Sequence, residues 1–120
     1  MNTQQVANRL VHLCREGKHM DALEELYGPN IISKEMHWMP EEVETKGIEA
    51  VRKKSVDWLN NVQEFHSGEV SDPIIAGNHF TIKMDFDITF KDRGRTQMEE
   101  ICVYEVNDGK IVDEQFFYSE

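Results

Sequence analysis

A carboxylate and an imidazole lie close together in the first third of the chain. Glu35 and His37 are two residues apart in segment 31–38, where alternating side chains predict a short β-strand. Because side chains two apart on a strand point to the same face, both would reach one bound molecule if that face lines a pocket. Burial raises the pKa of a carboxyl group and suits it to act as a general base near neutral pH. The alternative is a solvated pair at a pocket rim, without chemistry.

Glu100 is the second candidate catalytic residue. It alternates with the largely apolar positions 98, 102, 104 and 106 of a predicted strand. A carboxylate on such a face needs a hydrogen-bond partner or a proton. Its neighbour Glu99 alternates instead with Ile101 and Val103, so the pattern leaves open which face points inward. Glu100 is therefore a pocket acid, a structural hydrogen-bond acceptor or a dimer-interface group.

Five further side chains are candidates for ligand binding. Trp38 and Tyr118 each combine a large apolar ring with a polar tip, as pocket walls often do. His66 is either a hydrogen-bond donor in the pocket or a satisfied histidine beside a flexible glycine, and Glu114 shares its predicted strand face with Tyr118. Aromatic residues in such patterns also serve as core or dimer contacts. The candidate ligand-binding residues are His37, Trp38, His66, Glu114 and Tyr118.

Composition excludes several classes of partner. The 120 residues carry 13 Lys and Arg against 23 Asp and Glu, a net charge of −10, which disfavours nucleic acids and anionic lipid surfaces. The longest apolar runs fall far short of the roughly 20 residues that span a bilayer. The polar N-terminus lacks the features of a secretory signal, so we expect a cytoplasmic protein.

The cysteines and histidines give no metal-binding pattern. Cys14 and Cys102 are far apart, and the five histidines form no His-x-x-x-His pair. We therefore expect two reduced, mostly buried thiols and neither a metal nor another cofactor.

The periodicity of apolar residues predicts helices first and strands afterwards. Helices are expected over 4–16, 19–27 and 48–62, an acidic loop over 39–46, and strands over 31–38, 64–72, 78–91, 95–107 and 110–119. The segment 78–91 carries apolar side chains on one face, so Asp85 and Asp87 on the other are expected to point outward. This order indicates an α+β fold, and residues 1–120 are expected to form a single domain.

Three stretches of the sequence resemble one family. They are residues 21–32, the glycine-initiated segment 47–51, and residues 103–118, which read as a final hairpin. Their order and spacing resemble the NTF2-like superfamily, particularly its SnoaL-like branch. The resemblance implies a cystatin-like cone, with three N-terminal helices packed in the hollow of a curved, mostly antiparallel sheet. It also implies a pocket between helices and sheet, and a homodimer formed through the outer sheet face.

Ketosteroid isomerase is the best-defined enzyme of that superfamily for comparison. Its catalytic aspartate aligns with Glu35, but its oxyanion-hole tyrosine aligns with Val11 and its protonated aspartate with Ile101, next to Glu100. Two of three positions depart from the pattern, so that activity is not expected. We expect instead a SnoaL-like protein that binds a small, partly apolar molecule.

Two alternatives stay open at this point. The first is a cofactor-free acid/base enzyme of the isomerase, cyclase or dehydratase type, with Glu35 as base and Glu100 or His66 as acid or orienting group. The second is a protein-interaction or dimerisation module without catalysis, which needs no cavity.

Overall fold

The computed structural model describes residues 1–39 and 43–119, which form an α+β arrangement of three helices and seven strands. Residues 40–42, part of the predicted acidic loop, lie outside the described residues. The elements are α1 Thr3–Arg15, α2 His19–Leu26, β1 Tyr27–Lys34, β2 Glu44–Lys46, α3 Ile48–Asn60, β3 Val62–Val70, β4 Ile74–Ala76, β5 His79–Phe90, β6 Gly94–Asn107 and β7 Lys110–Phe117.

The two 13-residue helices, α1 and α3, each follow a residue that suits the N-cap position. Asn2 caps α1 by accepting a hydrogen bond from the Gln5 amide, while the Gln5 side chain accepts one from the Asn2 amide. Gly47 precedes α3 with a φ of 90°, a conformation that glycine adopts readily. The three predicted helices are present, with ends shifted by one or two residues.

The seven strands form one sheet in the order β2-β1-β7-β6-β5-β3, with β4 also paired to β5. Only the β1–β7 pairing among these is parallel, so the described sheet is mostly antiparallel. Two predictions are wrong here. β2 occupies part of the predicted acidic loop, and β4 forms where we expected a loop between strands, because each pairs with a longer neighbouring strand.

The first strand lies earlier than predicted. β1 ends at Lys34 instead of extending over 31–38, because its pairing with β7 starts at Tyr27. Glu35 and His37 therefore do not share a strand face, and that prediction is wrong. Ser33, which is fully buried, marks the inward face of β1.

One face of the sheet and the apolar faces of the helices share a single core. The even-numbered residues of β5 from Phe80 to Phe90 are buried, as the alternation predicted. They pair with β6 so that Met84 lies opposite Glu100 and Ile82 opposite Cys102. Paired residues on neighbouring strands point to the same face, so Glu100 faces inward. α1 contacts β3 and β5, and α3 contacts β1.

Candidate functional site

The inward faces of three neighbouring strands bring polar groups together. Ser33 on β1 lies opposite Glu114 on β7, which lies opposite Tyr104 on β6. Phe116 is the next inward position of β7, and Glu35 follows directly after the last residue of β1. The sheet therefore supplies a row of carboxyl and hydroxyl groups, over which α3 extends one lysine.

Lys54 joins two of the strands through its ammonium group. Its Nζ lies 2.7 Å from Glu35 Oε1 and 3.0 Å from Ser33 Oγ, to which it donates. It also lies 5.5 Å from the centre of the Phe116 ring, within reach of a cation–π contact. The second oxygen of Glu35 accepts a 2.5 Å hydrogen bond from the Tyr118 hydroxyl. Glu35 is thus held in place by one cation and one phenol while its side chain stays 16% exposed.

Glu100 occupies a different environment from Glu35. Burial raises its pKa to about 7, and the nearby charge of Glu35 adds to the shift. The Cys102 thiol at 3.7 Å from Glu100 Oε1 and the charge of Lys54 act in the opposite direction. A thiol is a weak donor, so it compensates little of the cost of burying a charge. Glu100 is therefore close to half-protonated at neutral pH.

Glu114 lies at the innermost end of the row. Its carboxyl accepts a hydrogen bond from the Tyr27 hydroxyl, and it is 5% exposed. Burial raises its pKa, while the hydrogen bonds from Tyr27 and Ser33 and the charge of Lys54 oppose the rise. A buried carboxyl so fully enclosed can orient its neighbours but offers little surface to a ligand.

The two aromatic candidates flank the accessible end of the site. The rings of Trp38 and Tyr118 meet edge to face with centroids 5.4 Å apart, and Tyr118 donates to Glu35. Burial and the Glu35 hydrogen bond raise the Tyr118 pKa. His37 is exposed and is not among the groups that contact Glu35. The role of Trp38 and Tyr118 as pocket walls stays a prediction, because neither residue lines the two clefts described below.

His66 lies on the other face of the sheet. Its ring contacts Glu64 and Thr89 on the outward sides of β3 and β5. Asp87 also points outward, where it pairs with Arg95. The sequence-based grouping of His66 with Glu35 and Glu100 therefore joins residues that the sheet separates.

Two clefts open near this arrangement, but neither is lined by Glu35 or Glu100. The larger, of about 410 Å³, lies between the end of α1 and the edge of the sheet, with walls that include Phe65 and Phe86. The smaller, of about 200 Å³, lies on the outward face beside Lys34. The carboxyl groups of Glu35 and Glu100 therefore lie outside both clefts.

Sequence reasoning missed Lys54, Ser33 and Tyr27. A signal for Lys54 was present, since it falls three residues after the buried Val51 and four before the half-buried Trp58, on the inward stripe of α3. Tyr27 was assigned to the end of a helix, which concealed its place on an inward strand face.

Two negative findings apply to residues 1–39 and 43–119. No group of three or more His, Cys, Asp or Glu side chains there is arranged to hold a metal ion. No helix in the same part of the chain is long and apolar enough to cross a membrane.

Comparison with solved structures gives close matches over nearly the whole chain. A protein from Mesorhizobium loti, named as a candidate SnoaL-like polyketide cyclase with "carbohydrate phosphatase" in brackets, is 34% identical with a TM-score of 0.92. The match covers 98% of this chain and 100% of that one. A protein of unknown function with a cystatin-like fold from Xanthomonas campestris is 18% identical, with a TM-score of 0.84, over 100% of this chain and 92% of that one.

A third match has a bound small molecule. This protein from Catenulispora acidiphila, with a ketosteroid isomerase-like fold, is in complex with trimethylamine. It is 16% identical with a TM-score of 0.74, over 98% of this chain and 88% of that one. The two more distant matches show the fold alone.

The family assignment comes from the sequence itself. No curated protein matches the chain. The model of the SnoaL-like domain family, however, matches residues 1–118. The chain therefore belongs to the SnoaL-like domain family.

Proposed function

We propose that the three helices close the inward face of the sheet into a cone, and that a small, partly apolar molecule binds there against Glu35 and Glu100. The observation that carries the proposal is the presence of two carboxyl groups in different environments on the inward side of the sheet, close enough for the charge of Glu35 to raise the pKa of Glu100. Glu35 is fixed by Lys54 and Tyr118, whereas Glu100 has a pKa raised to about 7 and forms no ion pair with a cation among the described residues.

The chemistry of these groups limits the ligand. A protonated Glu100 donates a hydrogen bond to a carbonyl or hydroxyl oxygen, and Glu35 accepts one. The rings of Trp38, Phe116 and Tyr118 offer apolar surface beside them. A neutral molecule with one apolar ring system and one or two oxygen atoms fits this combination better than an anion.

Native mass spectrometry of freshly purified protein tests the proposal. We expect a releasable adduct of small mass on the native protein that is absent after denaturation. Glu100→Gln should lower its occupancy, whereas Glu99→Gln, an exposed neighbour on the opposite face, should not. Equal occupancy in both variants would place the ligand elsewhere. If no adduct is seen, a thermal-shift screen of neutral ring compounds with the same two variants decides the question.

The second candidate function is cofactor-free acid/base catalysis of the isomerase, cyclase or dehydratase type. The same difference in environment favours it. Glu100 has a pKa near neutrality, and Glu35 is held by Lys54 and Tyr118, so together they can give and take protons. The polyketide cyclase name of the Mesorhizobium loti protein supports a carbonyl-rich substrate for this chain too.

Solvent exchange separates binding from catalysis. A bound ketone should exchange its α-hydrogens for deuterium in D2O when Glu35 is present, as followed by proton NMR. Glu35→Gln should abolish the exchange while leaving binding measurable. Persistence of the exchange in that variant would contradict the role of Glu35 as base.

The outward sheet face is also proposed to form a homodimer. Ile101 and Phe117 lie directly opposite each other there and are 50% and 41% exposed. Ile101→Glu should convert a dimer into monomers in sedimentation velocity, whereas Ile74→Glu, on the short strand β4 at the sheet edge, should not. A wild-type monomer, or a dimer that survives Ile101→Glu, would remove the proposed interface.

A further inference from the structure

A histidine, a carboxylate and a hydroxyl form a chain on the outward face of β3 and β5. His66 Nε2 lies 2.7 Å from Thr89 Oγ1, and His66 Nδ1 lies 3.0 Å from Glu64 Oε2. The group lies on the face opposite Glu35 and Glu100, so it is separate from the site proposed above.

The backbone explains how three residues from two strands meet. Glu64 lies opposite Thr89 and Ser67 opposite Asp87, so the pairing of β3 with β5 shifts by one residue at His66. Alternation along β3 already puts His66 on the same outward face as Glu64. The bulge leaves it between the pairs Phe65–Ile88 and Ser67–Asp87, within reach of Thr89, where its side chain stays 20% exposed.

The contacts favour one tautomer of the His66 ring. A carboxylate only accepts hydrogen bonds, so Glu64 selects the imidazole with its proton on Nδ1. Nε2 then presents its lone pair to the Thr89 hydroxyl. A base that contacts a nucleophile and is itself oriented by a third group is the arrangement that activates a hydroxyl.

A positive group lies on the neighbouring strand. Arg95 is directly opposite Thr89 on β6 and uses Nε and Nη2 to pair with Asp87 at 3.0 and 2.8 Å. Asp87 occupies two of its N–H donors, so the ion pair brings no net positive charge beside Thr89. The face has no enclosing wall among these residues, so binding energy is small and the acyl donor must be reactive in its own right.

We propose that Thr89 is a modification site that takes up an acyl group from small activated esters, with His66 as general base and Glu64 as positioning residue. Thr89 Oγ1 attacks the acyl carbon while its proton passes to His66 Nε2. The bond between the acyl carbon and the leaving oxygen breaks, and the leaving phenol or alcohol takes the proton from His66. The products are an ester on Thr89 and the free phenol or alcohol, and no other reactant is consumed.

Incubation with p-nitrophenyl acetate and peptide mapping by mass spectrometry test this. Thr81 is the internal comparison, because it lies on the same face of β5 but donates its hydroxyl to the Cys102 carbonyl. General-base assistance contributes about 100-fold or more in rate, so acetylation of Thr89 should exceed that of Thr81 by that factor. Hydroxylamine should remove the acetyl group from Thr89 and leave acetylated lysines intact.

Variants distinguish general-base assistance by His66 from nonspecific acetylation of an exposed hydroxyl. His66→Gln should lower Thr89 acetylation by about 100-fold, while His12→Gln, which removes an imidazole paired with Glu16 on α1, should not. Glu64→Gln should lower it less, and Thr89→Val should abolish the hydroxylamine-sensitive label. Circular dichroism on each variant confirms folding. Acetylation of Thr89 at the rate of Thr81, or unchanged in His66→Gln, would overturn the proposal.

Discussion

Replacing Glu100 by glutamine should make the protein more stable, and only above acidic pH. The free carboxyl has a pKa of 4.5, and in the folded protein it rises to about 7. Below pH 4.5 the carboxyl is protonated in both the folded and the unfolded protein, so its burial does not lower the free energy of unfolding. Between the two values the unfolded chain ionises while the folded chain keeps its proton, so the free energy of unfolding falls as pH rises. Above about 7 the cost is constant.

The magnitude follows from the size of the shift. At 1.36 kcal/mol per pKa unit, the interval from 4.5 to about 7 corresponds to a cost of about 3 kcal/mol. Glutamine has a similar shape and no charge, so Glu100→Gln should recover most of this cost at pH 8 and none of it near pH 4. Urea unfolding followed by tryptophan fluorescence measures the difference between the two proteins at each pH.

A matched control makes the reasoning falsifiable. All other groups titrate in both proteins, so the difference curve isolates Glu100. Glu99→Gln, an exposed carboxyl on the opposite face of the same strand, should give a flat curve near zero. A stability difference that does not change with pH would show that burial does not destabilise the ionised form of Glu100. A variant less stable than the wild type at pH 8 would show the same.

Two further substitutions probe the packing around the site. Lys54→Met leaves Glu35 without its cation. It should lower the free energy of unfolding, measured with urea at pH 7, by about 1–3 kcal/mol. Lys53→Met, on the exposed side of α3, should change that free energy by less than about 0.5 kcal/mol. Gly68→Ala places a Cβ 2.7 Å from a carbon of the buried Phe86 ring and should cost about 1–3 kcal/mol. If Lys54→Met or Gly68→Ala left the free energy of unfolding unchanged in the same assay, that result would contradict the contact concerned.

The parts of the fold that the sequence predicts are those set by local periodicity. The helix expected over 4–16 is observed as Thr3–Arg15, and the alternation over 78–91 correctly separates buried from outward residues on β5. In both cases the spacing of apolar residues repeats, over three or more helical turns in α1 and over three or more alternations along β5. Elements shorter than this, such as β2 and β4, arise from pairing with a partner and leave little trace in their own residues.

The composition of the site depends on contacts that are distant in sequence. Residues 98–103 read equally well with either face inward, and only the pairing of β6 with β5 decides that Glu100 is buried. The parallel pairing with β7 likewise determines where β1 ends, and with it the separation of Glu35 from His37. The spacing on α3 marks the inward stripe of Lys54, but its partners Ser33 and Glu35 lie about 20 residues away in sequence and cannot be read from that spacing.

The carboxyl groups on the two sheet faces differ in what their ionisation costs. On the outward face Asp87 meets Arg95, and the pair lowers the carboxyl pKa, so ionisation there costs nothing. On the inward face Glu100 and Glu114 both have pKa values raised by burial, and Lys54 supplies the only ammonium that reaches Glu35 among the described residues. Apolar residues of similar volume would stabilise that face. A fold that holds unfavourable acids in this position loses stability, and the proposed binding or proton-transfer site accounts for that cost.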